Sequence, residues 1–176
     1  QSLEACELPC KLIVGVLSQG EKYAVDTHGT LVSSGGTAGY CIISLPENSP
    51  YSIYYVQALL TSRPLEWVSS LYGEIFRGGY IARGTKVLKQ LPFRIIDFDN
   101  VEDKELHDEI SGLQQELIDI GDRIADAGNN NRVLTPLKRH FNLKRSQMER
   151  LIQRLFNLTD IEYSQIPVIS EIYATN

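Results

Sequence analysis

Residues 106–124, LHDEISGLQQELIDIGDRI, decide how the second half of this 176-residue sequence folds. Leucine or isoleucine recurs in it at intervals of four, three, four, three and four residues, the a/d spacing of a helix with a continuous seam. Asn100 can cap such a helix, and the acidic residues of its first turns suit the positive end of the dipole. We therefore predict one long amphipathic helix, whose seam consists of Leu106, Ile110, Leu113, Leu117, Ile120 and Ile124.

A second helix of opposite charge follows. Residues 128–131 (GNNN) can adopt a left-handed conformation and end the first helix, and Thr135-Pro136 restarts the helical pattern. Residues 102–126 hold nine acids and two bases, whereas residues 132–154 hold seven bases and one acid, which favours an antiparallel hairpin. A capping box at Ser146 and Glu149 leaves a break near Asn142 as the alternative to one continuous helix. With Lys144 in the seam, a single register holds Leu137, Phe141, Met148, Leu151, Leu155 and Leu158.

The first half mixes strands with shorter helices. Residues 11–17 (KLIVGVL), 22–26 (KYAVD) and 40–45 (YCIISL) have the composition of strands, and residues 30–32 could pair back on residues 22–26 as a hairpin. Residues 52–62 have helical spacing, and Pro64 suits the first turn of another helix. We predict an α+β fold in two domains: a mixed sheet and helix domain at residues 1–98, and an antiparallel helical hairpin at residues 99–176.

Composition and charge exclude some classes of protein. No stretch approaches eighteen consecutive apolar residues and no signal peptide opens the chain, so we expect a cytoplasmic protein without a membrane span. The lone methionine, Met148, and the start at Gln1 suggest an excised piece of a longer polypeptide. The net charge of −5 argues against nucleic-acid binding, but residues 63–94 carry six bases against two acids.

Residues for self-sufficient catalysis are lacking. The loop GGTAG at residues 35–39 has no phosphate-binding lysine and no dinucleotide spacing. A small nuclease or hydrolase that uses Asp26, His28 or Glu102 is an open alternative, although a hairpin turn and a helix start explain these residues as well. A zinc site is also conceivable, but reduced thiols are the preferred interpretation. Its ligands would be Cys6, Cys10, His28 and Cys41.

One basic segment stands out in the first half. Residues 77–93, RGGYIARGTKVLKQLPF, interleave four bases with a tyrosine and with glycines that allow close approach of the backbone to a partner. Guanidinium groups match guanine edges and phosphates, and lysine ammonium groups neutralise phosphates. The segment is therefore a candidate DNA-binding surface.

Five short stretches resemble a known family, in the order that the family has them. Residues 8–14 (LPCKLIV) resemble its opening "PKI" strand with a cysteine inserted, and residues 22–26 with Gly29 resemble its "FAxD…G" hairpin. Residues 54–62 (YYVQALLTS) are similar to its "LLNS" helix, and residues 88–93 (LKQLPF) to its "LxxLPI" element. Residues 151–159 (LIQRLFNLT) resemble its closing "LYGLT" helix. The family is the C-terminal target-recognition (TaqI-like specificity) domain of Type IIG restriction–modification enzymes, related to Type I specificity subunits.

The resemblance implies a division of labour. This chain would select a sequence in double-stranded DNA, without a cofactor and without catalysis of its own. Upstream catalytic domains, or a partner methyltransferase subunit, would use S-adenosylmethionine and Mg²⁺ for adenine methylation and cleavage. A protein-interaction module that docks through the helical hairpin is the competing hypothesis. The candidate DNA-binding residues, chosen on physical grounds, are Lys22, Arg77, Tyr80, Arg83, Lys86 and Lys89.

Overall fold

The structure contains two small antiparallel sheets and seven helices among its described residues, and two of these helices lie between the strands of the second sheet in the chain. The computed structural model describes residues 8–20, 23–32 and 39–174. The strands are β1 (Lys11–Gly15), β2 (Leu17–Ser18), β3 (Tyr23–Asp26), β4 (Tyr40–Ile43), β5 (Ile75–Phe76) and β6 (Tyr80–Ala82). The helices are α1 (Ile53–Leu60), α2 (Arg63–Tyr72), α3 (Thr85–Leu88), α4 (Val101–Asp126), α5 (Asn131–Leu155), α6 (Asp160–Gln165) and α7 (Ile169–Ala174). The predicted α+β class is confirmed.

The first sheet has the order β3-β1-β4, with both pairs antiparallel. Its central strand buries Leu12 and Val14, whose side chains lie on one face at the strand period of two. The predicted hairpin between residues 22–26 and 30–32 is wrong, because β3 pairs with β1 and no strand forms at residues 30–32. Instead the Asp26 carboxylate closes this turn by accepting hydrogen bonds from the Thr30 amide at 2.7 Å and hydroxyl at 2.9 Å.

The helices α1 and α2 begin where the sequence indicates. Ser52 caps α1 by accepting a hydrogen bond from the Tyr54 amide at 3.2 Å, and Pro64 lies in the first turn of α2. Seven of the eight residues of α1 are buried, which explains why this helix has little polar periodicity. It packs between the first sheet and α4, and therefore forms the middle of the molecule.

The long helices α4 and α5 form the predicted antiparallel hairpin. Asn100 caps α4 through the amides of Glu102 and Asp103, and Gly128, with a φ of 53°, turns the chain after its end. Four of the six predicted seam residues of α4 are buried, and Leu113 and Ile124 are partly buried. Helix α5 is continuous through Asn142, where the Ser146 hydroxyl donates to the Asn142 carbonyl at 3.0 Å instead of capping a new helix.

One apolar core joins the two halves of the chain. It contains Leu12, Tyr55 and Leu59 from the first half and Ile110 and Ile152 from the hairpin, all at most 1% exposed. The predicted division into domains at residue 98 stays a prediction. Among the described residues, no helix combines the length and the apolar composition that crossing a lipid bilayer requires.

An aromatic cluster fills the junction between α1 and the start of α4. The backbone amide of Ser52 donates to Nε2 of His107 at 3.0 Å, so this nitrogen carries no proton. The proton on Nδ1 then points to the Asp108 carboxylate at 2.8 Å. The rings of Tyr51, Tyr55 and Phe98 surround this imidazole, with centroids 4.8–5.9 Å from its own. Phe93 packs edge-on against Tyr51 and Tyr55 and completes the cluster.

Candidate nucleic-acid interface

A tight hairpin between β5 and β6 presents the first of the predicted DNA-binding residues. Phe76 pairs with Tyr80, so the turn consists of Arg77, Gly78 and Gly79. Gly78 and Gly79 have φ angles of 87° and 74°, a region that side chains with a Cβ rarely adopt. Arg77 is exposed at the tip of the turn, and Tyr80 is 41% exposed beside it.

The hairpin is held from two sides. Strand β6 also pairs with β2, and the Gln19 side-chain amide, just after β2, donates to the Gly78 carbonyl in the turn. On the other side the chain enters β5 from α2 through Gly73, where a Cβ would lie 2.5 Å from the Ile81 side chain and 2.7 Å from the Ala82 carbonyl. Only glycine fits this approach, so the hairpin has a fixed position against the end of α2.

Arg83, predicted as a DNA-binding residue, does not lie on this surface. Its side chain is 0% exposed and forms an ion pair with Glu66 of α2, which is also 0% exposed. The guanidinium further donates to the Ser18 carbonyl at 3.2 Å, the Ser18 hydroxyl at 2.9 Å and the Ile81 carbonyl at 3.2 Å. Arg83 therefore joins β2, β6 and α2 beneath the hairpin, with no access to a base edge.

The two predicted lysines lie in the short helix α3 (Lys86) and directly after it (Lys89). Val87 is buried and fixes the helix to the core, whereas Lys86 and Lys89 are exposed. Gly84 precedes the helix, and the Val87 and Leu88 amides donate back to its carbonyl at 2.9 and 3.1 Å. The lysines are thus presented on a rigid turn that follows β6 directly.

Two other basic residues of the segment 63–94, Arg63 and Arg94, contact groups of the same chain. The Arg63 guanidinium donates to the Pro167 and Ile166 carbonyls and lies 5.0 Å from the centre of the Tyr163 ring, where it fixes the C-terminal helices. Burial raises the pKa of Tyr163 to about 12. Arg94 is half exposed and reaches the Asp103 carboxylate at 3.5 Å.

The structure therefore brings Arg77 and Tyr80 together on one hairpin and places Lys86 and Lys89 at the next element. Lys22 lies outside the described residues. Gln19 and Glu66 were not predicted from the sequence, because the groups that they bind are 59 and 17 residues away. No local pattern indicates such contacts.

The residues considered for metal binding do not come together as a metal site in the described part of the chain. Asp26 accepts hydrogen bonds from buried Lys11 at 2.7 Å and from the His28 amide at 3.0 Å. The ammonium group of Lys11 holds the pKa of Asp26 well below its ordinary value. Cys10 and Cys41 are free thiols, and Cys6 lies outside the described residues. Within the described ranges, no group of three or more His, Cys, Asp or Glu side chains could hold a metal ion.

Comparison with known proteins gives one informative similarity. No protein-family model matches the chain. The "Type II restriction enzyme and methyltransferase RM.Eco57I" of Escherichia coli is 49% identical over 173 residues, a match that covers 98% of this chain and 17% of that protein. Over nearly its whole length, the chain is thus closely related in sequence to one part of a Type II restriction–modification enzyme.

Proposed function

We propose that this chain is a sequence-recognition module for double-stranded DNA in a restriction–modification enzyme, comparable with the TaqI-like target-recognition domain of Type IIG enzymes. The observation that carries the proposal is the glycine hairpin that exposes Arg77 and Tyr80 above a buried ion pair. A contact that selects a base needs a side chain in a fixed position, and the pairing of Arg83 with Glu66 supplies the support. Lys86 and Lys89 can add contacts to the phosphate backbone.

The chemistry suits the major groove of DNA. A guanidinium fork can donate two hydrogen bonds to O6 and N7 of guanine, which distinguishes this base from the other three. Arg77 takes over the role that the sequence had suggested for Arg83, since it is the exposed arginine of the segment. Tyr80, next to it, can donate a hydrogen bond or stack. The two lysines would set the register of the chain on the duplex without selecting bases.

The relative supports a role within a larger enzyme. Its name combines a restriction enzyme with a methyltransferase, and the chain spans 17% of its length. We propose that methylation of adenine and cleavage of DNA belong to other parts of such a polypeptide, or to a partner methyltransferase subunit. S-adenosylmethionine and Mg²⁺ would bind there, and the complex would act on DNA in the cytoplasm.

A selection experiment tests the recognition role. Duplexes with a randomised segment are selected on the 176-residue chain, and the preferred sequence is compared with random DNA in gel shifts at several salt concentrations. Arg77→Ala should cost about 1–3 kcal/mol on the preferred duplex and little on random DNA. Lys86→Gln with Lys89→Gln should flatten the salt slope by about one to two units and leave the preference intact.

The control is Arg123→Ala, which removes an exposed arginine from the acidic helix α4. It should change neither the preference nor the salt slope. Selection that yields no preferred sequence would contradict the proposal, as would an Arg77→Ala variant that retains the full preference.

The absence of catalysis is tested separately. The purified chain is incubated with DNA, labelled S-adenosylmethionine and Mg²⁺. We expect neither methyl transfer nor cleavage above background. Activity that Asp26→Asn or Glu102→Gln abolishes would favour the nuclease alternative instead.

The competing interaction module has weaker support. A partner that docks on the helical hairpin through its apolar seam would need that seam to be accessible. Leu117 and Ile120 of α4 are instead buried, and α4 packs against both α5 and α1. The outer faces of the two helices remain for a partner, and they are mostly polar, with Val133 and Leu143 of α5 among the exposed apolar residues.

A further inference from the structure

We propose that the outer face of α5 is a second DNA contact, which binds the phosphate backbone regardless of sequence. This inference rests on the proposed DNA-binding function and extends it to the helical hairpin. The face carries a row of four exposed arginines, here called the outer arginine stripe. The stripe consists of Arg132, Arg139, Arg150 and Arg154.

The spacing aligns these residues along one side of the helix. Successive members are 7, 11 and 4 residues apart, each close to a whole number of turns of 3.6 residues. The buried residues Leu137, Met148 and Ile152 occupy the opposite side, which packs on α4 and the core. At a rise of 1.5 Å per residue the stripe is about 33 Å long, close to the length of one turn of duplex DNA.

The ion pairs between the two long helices use other basic residues of α5 and do not involve the stripe. Across the interface, Lys144 and His140 of α5 approach Glu116 of α4 at 2.8 and 3.6 Å. These two residues lie on the flank of α5 that faces α4, whereas Arg132, Arg139 and Arg150 lie opposite the buried residues of α5. Arg154, at the end of the helix, borders a cleft that Glu102 and Asp103 of α4 also line. In the part of the chain that the structure describes, no member of the stripe forms a salt bridge.

Arginine is suited to a phosphate partner. Its guanidinium presents a planar fork that can donate two parallel hydrogen bonds to phosphate oxygens, and it is always charged. Four such groups in a row, on a helix whose single acidic side chain is Glu149, fit a regular line of negative charges. The acidic helix α4 repels DNA from the other side of the hairpin, so that only this face of the hairpin suits a polyanion.

The stripe is also connected to the first basic segment. Its last member, Arg154, lines the same cleft as Arg94, which closely follows the α3 segment that carries Lys86 and Lys89. Asp103 is paired with Arg94 in this cleft and does not reach into the stripe as a salt-bridge partner. One duplex could therefore contact the α3 segment and then continue along α5.

A pair of matched variants tests the inference. Arg139→Gln with Arg150→Gln removes two charges from the stripe, and Lys104→Gln with Arg123→Gln removes two exposed charges from α4. Both double variants lower the net charge equally, and all four positions are exposed, so thermal melting should show that both fold. Affinity for the preferred duplex and for random duplexes is measured as a function of salt.

We expect the stripe variant to lose the same factor of affinity for both kinds of duplex, with a salt slope flatter by about one to two units. Its ratio of preferred to random binding should equal that of the unaltered chain. The α4 variant should match the unaltered chain in both measurements. Unchanged affinity and salt slope in the stripe variant would overturn the inference and leave an acidic protein as the partner for this face.

The two proposals fail in different ways. If the stripe variant binds normally while Arg77→Ala loses its preference, the backbone contact is wrong and sequence recognition stands. If the chain binds all duplexes alike and only the stripe variant weakens this binding, recognition is wrong and the backbone contact stands. A chain that binds no duplex contradicts both.

Discussion

At the scale of single residues, Arg83 is the clearest case of a charge whose role depends on burial. A buried ion pair contributes little net stability, because both groups lose hydration, but removal of one partner leaves the other charge uncompensated. We predict that Arg83→Leu lowers the free energy of unfolding by about 3–5 kcal/mol, because Glu66 then remains buried without its cation. Urea unfolding followed by circular dichroism measures the change.

The double variant Arg83→Leu with Glu66→Leu is the control. It should recover much of the lost stability, because neither charge of this pair is then left buried. A stable Arg83→Leu protein with weakened DNA binding would instead return Arg83 to the DNA surface.

Asp26 makes stability depend on pH in a defined direction. Its folded-state pKa lies below the ordinary value of 3.8, chiefly because Lys11 donates to the carboxylate. A lowered pKa stabilises the fold above pH 3.8, and this contribution disappears as the pH falls below that value. We predict that Asp26→Asn lowers the melting temperature at neutral pH and that its difference from the unaltered chain shrinks steadily in acid.

Melting curves from neutral pH to about pH 2 measure this difference across the ordinary carboxyl range. Asp119→Asn, at an exposed position of α4, controls for the loss of a surface carboxylate. A difference for Asp26→Asn that stays constant over the whole range would show that the pair with Lys11 is not the source of its effect.

How far the sequence predicts the site depends on the distance of the contacts along the chain. Two of the candidate DNA-binding residues, Arg77 and Tyr80, are exposed, and the adjacent Gly78 and Gly79 that form the turn are visible in the sequence itself. Arg83 belongs to the same basic segment and is nevertheless buried. One of its partners, Ser18 of β2, is 65 residues away in the sequence, so no local pattern indicates this contact. Pairing between such distant strands leaves no signal in a basic segment of seventeen residues.

At the scale of secondary structure, α4 shows why the helices were predictable. The apolar residues of the seam recur every three or four positions, so the sequence of the helix alone shows which face is buried. The structure adds His107 and Gln114, which are buried because α4 packs on α1 as well as on α5. The prediction of a strand at residues 30–32 was wrong for the opposite reason. Strand β3 pairs with β1, which precedes it, and not with the residues that follow the next turn.

Leu117 tests the seam of α4. Its side chain is buried between the two long helices, and an aspartate there would place a charge in apolar surroundings without a partner. We predict that Leu117→Asp lowers the free energy of unfolding by about 3–5 kcal/mol, as large core losses do. Urea titration of both proteins measures it. Leu117→Met keeps the volume and should cost about 1 kcal/mol; equal effects of the two substitutions would mean that the position faces solvent.

At the scale of the whole molecule, polar contacts reinforce the shared core. The Gln57 side chain of α1 donates to the Tyr23 carbonyl of β3 at 2.8 Å and accepts from the Gln114 side chain of α4 at 3.0 Å. These buried amides link the first sheet to the helical hairpin through α1. Separation of the hairpin from the sheet would break these hydrogen bonds. It would then leave buried amide groups without partners or expose them to water, in addition to exposing apolar surface.

We therefore predict that the chain unfolds in one cooperative step, although its sequence divides into two parts at residue 98. The single tryptophan, Trp67 in α2, reports on the first part, and far-ultraviolet circular dichroism reports mainly on the long helices of the second. If α1 joins both parts into one core, the two signals should give the same urea midpoint. Leu117→Asp should shift both midpoints together, even though Trp67 is on a different helix. Loss of helical signal before any change in Trp67 fluorescence would mean that the hairpin is an independent domain, attached to the first part of the chain without stabilising it.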